Sequence, residues 1–164
     1  MTQRFKWISL TVFVATLLTL GLFYLFPSLL SSGVDPVVYD RPLIPLSTTT
    51  ISIKGVTITA EVINSELEMA IGLGGREGLL PETGMWFEFG SNSRWGIWMK
   101  DMRFPIDIMW IDENMSIVTI AEKISPDTYP RVFYPSSDAL FVLEVPAGFV
   151  ENSQIETGNT LLVR

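Results

Sequence analysis

The sequence predicts a mainly β domain, an antiparallel β-sandwich or small barrel with one or two short helices, preceded by a single N-terminal transmembrane helix. Three observations carry this reading. From Ile51 onward, short runs alternate apolar and polar residues, which is the period-two pattern of half-buried strands. Tight-turn residues separate these runs and no long helical pattern lies between them, which favours an antiparallel sandwich or barrel over a doubly wound sheet. Ahead of them, Trp7 to Leu30 is a stretch of 24 positions without a charge.

That first stretch is long enough to span a bilayer, since a helix crosses the hydrocarbon core with about 20 apolar residues. Arg4 and Lys6 precede it and the next cation is Arg41, so the expected orientation leaves the N-terminus in the cytoplasm and the domain on the extracytoplasmic side. A cleaved signal peptide ending at Ser31-Ser32-Gly33 is the alternative, which would give a secreted domain, but the apolar region is longer than such peptides carry. No cysteine follows the span, which excludes a lipoprotein anchor. Residues 31–50, with Pro36, Pro42, Pro45 and the run Ser47-Thr48-Thr49-Thr50, read as an extended linker. The globular domain is expected over 51–164.

Ile51 and Ile53, a turn at Lys54-Gly55, then Val56, Ile58, Ala60 and Val62 make a hairpin. Ser65 and Glu68 fit a capping box for a short helix with Leu67, Ala70 and Ile71 on one face, ended by Gly72, Gly74 and Gly75. Met85, Phe87 and Phe89 then oppose Trp86 and Glu88 on the next strand. Trp95 to Asp112 reads as a pair of strands, with Ile106, Ile108 and Trp110 opposing Asp107, Met109 and Ile111 in the second. Strands from Ser116 to Glu122, Ala139 to Val145 and Leu161 to Val163 follow, with a proline-rich loop after Glu122 and a short helical turn beginning near Ala147-Gly148.

Composition removes whole classes of chemistry. Without Arg4 and Lys6, nine cations face eighteen acids, a net charge of −9 for everything beyond the span. Nucleic acid and anionic headgroups, which need cationic surface, are therefore not expected partners. With neither Cys nor His, the common zinc, copper and haem ligand sets are missing, as are Cys nucleophiles and His-dependent triads. Asp112-Glu113-Asn114 lacks the spacing of a calcium loop and reads as a turn. No cofactor and no metal site is expected.

What stands out is charge inside apolar runs. Lys100, Asp101, Arg103 and Asp107 interrupt the central tryptophan-rich stretch, and Glu144 is the single charge in Leu140–Val145. A carboxylate so placed needs a partner, because burying an isolated charge is expensive. Arg76, Lys100 and Arg103 are the candidates. Internal ion pairs or backbone hydrogen bonds account for Asp107 and Glu144 without any ligand. The functional alternatives are a polar cleft that binds something, with Trp98 the tryptophan expected to be exposed, or acid–base work on a glycan by two carboxylates.

These residues lie in motifs that resemble the domain of unknown function 192 family, an uncharacterised family. The motifs are Gly72-Leu73-Gly74-Gly75-Arg76, Gly84-Met85-Trp86-Phe87-Glu88-Phe89, Trp98 to Asp112, Phe141-Val142-Leu143-Glu144-Val145-Pro146-Ala147-Gly148 and Gly158-Asn159. The resemblance covers about Ile58 to Val163. It implies a compact, mainly β domain, often exported or membrane-anchored, with characteristic polar residues at Arg76, Trp98, Lys100, Asp107 and Glu144. Two positions depart from the pattern: Gly74 stands where Met is usual, and Asp101 where Asn is usual. The expected function is thus a non-catalytic, membrane-anchored domain whose cleft, lined by those five residues, binds an envelope ligand or protein partner. A carboxylate-dependent glycan hydrolase and a purely structural envelope-assembly domain are the alternatives.

Overall fold

The computed structural model describes residues 46–164; the expected membrane span and most of the linker lie outside them. Among the described residues no helix is long and apolar enough to cross a membrane. The first strand begins at Thr48, inside the stretch read as linker. β1 (Thr48–Ile53) and β2 (Val56–Ile63) form the expected hairpin. Lys54 and Gly55 both take positive φ (49° and 84°), the geometry that lets a two-residue turn follow the twist of its strands.

The remaining elements are α1 (Glu66–Ile71), β3 (Thr83–Ser93), β4 (Ile97–Trp98), β5 (Ile106–Ile111), β6 (Ile117–Ile124), β7 (Val132–Phe133), β8 (Ala139–Pro146), α2 (Phe149–Asn152) and β9 (Leu161–Val163). Seven strands make one curled sheet in the order β6-β5-β8-β3-β2-β1-β9, while β4 and β7 pair separately. A bridge between Ser116 and Thr160 links the two ends of the curl, where the chain enters β6 and β9. The sheet is not wholly antiparallel. β2 and β3 run parallel, because the chain between them crosses over through α1 rather than turning back.

The sheet is apolar on both sides. Ile51, Ile58, Trp86, Met109, Leu143, Val145 and Leu161 belong to one core, which collects residues from both ends of the sheet and includes Val150 of α2. Met85, Phe87, Ile108, Trp110 and Val142 point the other way, into a second core with Leu73 and Ile97. β5 is consequently buried at all six positions, as expected for a strand covered on both faces.

The structure adds to the reading of the helix and corrects that of the central stretch. Ser65 and Glu68 form the capping box, but α1 turns Leu67, Ala70 and Ile71 to solvent, and Leu67 is 66% exposed. Met69 and Leu73 meet the second core instead. The central stretch is also not a single pair of neighbouring strands. β4 pairs with β7, β5 pairs with β6 and β8, and the chain between them turns through Asp101 at φ 57°.

Candidate functional site

Register across the curled sheet decides which polar side chains share a face. Glu61 of β2 is opposite Met85 of β3, Met85 is opposite Glu144 of β8, and Glu144 is opposite Ile108 of β5. Met85 and Ile108 belong to the second core, so Glu61 and Glu144 lie on that side of the sheet. Asp107, one residue along β5, points to the opposite side with Met109 and Ile111.

Asp107 is therefore not part of the cleft. It is fully buried, and its carboxylate accepts the Lys123 N–H on Oδ1 at 2.7 Å and the Val150 N–H on Oδ2 at 2.9 Å. The first of these donors sits where a bulge in β6 breaks the ladder to β5; the second is in the opening turn of α2. Asp107 thus ties β5 to β6 and to α2, satisfying a donor freed by the bulge and a buried one at the start of the helix.

Glu144 has the opposite character. It is 5% exposed, and its carboxyl makes no hydrogen bond to any described residue. Burial pushes it up to about 8 from an ordinary 4.5, and the positive charge of Arg76 opposes that rise. Arg76 itself is committed elsewhere: Nη1 and Nη2 donate to Glu61 Oε1 and Oε2 at 2.7 and 2.6 Å, a bidentate pair that fixes the guanidinium plane. Its buried Nε has no partner. Sequence reasoning misses Glu61, although it is the sole charge in the run Val56–Ile63.

A cavity of about 50 Å³ opens at Glu144, walled by the end of α1 and Leu73, by Phe87, by Ile97 and Trp98 of β4, and by Lys100, Met102 and Ile106. It shares Met69, Ala70, Phe87, Gly96, Ile97 and Trp98 with a broader groove of about 510 Å³ that adds Asn64, Glu66, Phe89 and Trp95. Phe89 stacks on Trp95 with ring centroids 4.3 Å apart, and Trp98, 48% exposed, meets the edge of Tyr129. Of the five residues expected to line one cleft, Trp98, Lys100 and Glu144 do so. Arg76 stands beside Glu144 electrostatically, and Asp107 is across the sheet.

Glycine makes part of this arrangement possible. A Cβ on Gly74 would come within 2.9 Å of the Ile71 carbonyl oxygen and 3.2 Å of the Lys100 carbonyl oxygen. The bare backbone lets the Gly75 N–H donate to the Asp101 carbonyl at 2.8 Å, docking the loop before Arg76 on the turn that carries Lys100. The same Cβ would lie 3.4 Å from that of Asp101. The two departures from the family pattern are neighbours in space. Among the described residues no group of three or more acidic side chains is placed to hold a metal ion.

A family model, DUF192, described as an uncharacterized ACR, matches residues 49–163. The chain belongs to the DUF192 family. Two solved structures share the fold of this DUF192 domain. One is a protein from Sinorhizobium meliloti 1021 described as a "putative transcription regulator", 26% identical, with a TM-score of 0.69 over 73% of this chain and 96% of that one. The other is a protein of unknown function from Novosphingobium aromaticivorans DSM 12444, 24% identical, with a TM-score of 0.65 over 74% of this chain and 89% of that one. Comparison with curated proteins gives no match.

Proposed function

We propose that this DUF192 chain is a membrane-anchored, extracytoplasmic binding domain, held by the span Trp7–Leu30, whose cleft between α1, β4 and the sheet takes an envelope ligand. The observation that carries the binding reading is Glu144: a buried carboxyl with no hydrogen-bond partner among the described residues, opening on a cavity beside an aromatic groove. Its carboxyl faces the cavity rather than a protein donor, so a ligand carrying a donor group can complete it. A protein partner would meet the same cleft through the exposed apolar residues that line it, Ile71 and Trp98.

The alternatives have less support. Hydrolysis by paired carboxylates needs both acids flanking one bond, whereas Asp107 and Glu144 face opposite sides of the sheet. A purely structural domain gives no reason for an open concavity beside Trp98. Regulation of transcription, taken from the S. meliloti description, fits poorly with nine cations against eighteen acids if it means contact with nucleic acid.

The test is a ligand-observed NMR fragment screen on the full chain in a mild non-ionic detergent, repeated with Trp98→Ala. Trp98 is half exposed, so its removal should spare the fold. Binders that are lost in the variant support the cleft; binders indifferent to Trp98 and to Glu144→Gln overturn it. For the anchor, protease added to intact spheroplasts should digest the domain. Digestion only after lysis would refute that topology.

A further inference from the structure

The cleft pairs one unusual polar group with an aromatic wall. Glu144 is the ionisable side chain at the floor of the inner cavity with open acceptor positions. Of the charged groups around it, Arg76 is engaged, Asp107 is turned away, and Lys100 shares the cavity lining without an ion-pair partner among the described residues. Both terminal nitrogens of Arg76 are held by Glu61. Lys100 lines the cavity but is in none of the ion pairs among the described residues, which are Arg76–Glu61, Arg103–Glu77 and Lys123–Glu151. Asp107, on the adjacent strand, faces the other side of the sheet. Among the described residues, therefore, no cation bonds to this carboxyl.

Beyond the floor, Phe87, Phe89, Trp95 and Trp98 line the groove together with Asn64 and Glu66. Aromatic rings attract organic cations through their negative faces, and a chain of net charge −9 beyond the span draws cations toward it. The inner cavity of about 50 Å³ has room for little more than one water's share of liquid, roughly 30 Å³, which is the scale of an ammonium head. The outer groove, at about 510 Å³, accommodates a carbon skeleton.

We infer that the cleft takes a small organic ammonium ion, its N–H groups donating to the Glu144 carboxylate and its carbon skeleton lying among Phe87, Phe89, Trp95 and Trp98. The inference rests on the binding reading above and names the class of ligand. A primary ammonium supplies the donors that the carboxyl lacks, and binding it favours the ionised form of an acid that burial otherwise keeps protonated. Binding then expels a proton, whereas a neutral hydrogen-bonding ligand expels none.

The probe is n-butylammonium, with 1-butanol as its neutral counterpart of similar size, titrated calorimetrically into the full chain in mild detergent at neutral pH. Two buffers of different ionisation heat report the protons released. Given a free-state pKa of about 8, release of about 0.9 proton per ligand is expected near pH 7. The alcohol should bind at least about tenfold more weakly. Glu144→Gln should weaken the amine by about tenfold or more and abolish proton release. Trp98→Ala should weaken binding while leaving the protons released per bound ligand unchanged.

If the alcohol binds as well as the amine, or the amine binds without proton release, the ammonium inference falls and the cleft survives. The ammonium inference also falls if neither probe binds while other fragments occupy the cleft. If nothing binds there in either experiment, both readings fall.

Discussion

Replacing Glu144 with Gln should make the domain more stable at alkaline pH and change little in acid. In the folded chain the carboxyl is pushed up to about 8, against 4.5 for the group in water. Below 4.5 the side chain is protonated in both states and contributes no pH dependence. Between 4.5 and about 8 the unfolded chain gives up its proton while the folded one keeps it, so stability falls as pH rises; above about 8 both states are ionised and the loss levels off. At about 1.4 kcal/mol per unit, the full separation corresponds to roughly 5 kcal/mol, of which about 4 kcal/mol falls between pH 5 and pH 9. For a domain of about 120 residues this is a relative shift in Tm of roughly 15 °C. The assay is thermal or urea unfolding of wild type and Glu144→Gln across that range, read as the difference between them so that other titrations cancel. If the two stay parallel from pH 5 to pH 9, Glu144 is ionised and compensated in the folded state. The account of the cleft floor would then be wrong.

Other substitutions probe the surroundings. Arg76→Met removes the bidentate partner of Glu61, and should cost about 1–3 kcal/mol in urea unfolding. It should also raise the pH at which Glu144 titrates, since it removes the charge that holds this carboxyl down. Asp107→Asn sets an NH2 group against backbone N–H donors and should cost about 1–3 kcal/mol, while a folded variant keeps its cleft ligands, because Asp107 is on the other face. Gly96→Ala drives a Cβ to 2.6 Å from Val132 Cγ1 and 2.7 Å from Tyr134 Cε1. It should lose about 1–3 kcal/mol, whereas Gly90→Ala, with nothing within 4 Å, should lose far less. Ser65→Ala removes the acceptor of the Glu68 N–H and the capping box with it, at a cost of about 1 kcal/mol measured by unfolding.

Local chemistry was legible in the sequence wherever it is decided locally. The Lys54-Gly55 turn, the Ser65 cap and the opposition of Met85 and Phe87 to Trp86 all follow from neighbours within a few residues. The inner face of α1 does not. Leu67 and Ile71 are four apart, and so are Met69 and Leu73, the latter just beyond the helix end, so the segment offers two apolar stripes. Which one is buried depends on the sheet beneath it.

The site residues divide along the same line. Period two within β5 separates Asp107 from Ile106 and Ile108, and period two within β8 separates Glu144 from Leu143 and Val145. Neither pattern says which face of β5 continues which face of β8. That follows from the pairing of Ile108 with Glu144, a contact between strands far apart in the chain. The Arg76–Glu61 pair and the parallel join of β2 to β3 are equally non-local. Bulges add a further turn: Trp110 pairs with Thr119 but Ile111 with Ile117, so Val118 is an extra residue and the alternation of β6 reverses there.

The place where the chain enters the sheet has a mechanical consequence. β1 is not an outer strand: β2 flanks it on one side and β9 on the other, and Thr50 exchanges backbone hydrogen bonds with Arg164 at 3.1 and 3.0 Å. A pull transmitted from upstream of Thr48 is therefore shared between two ladders. The cleft takes its walls from α1, β3, β4, β5 and β8, and none from β1 or β9. Under the proposed reading, anchorage and recognition fall to different strands, so tension on the tether leaves the cleft walls unloaded.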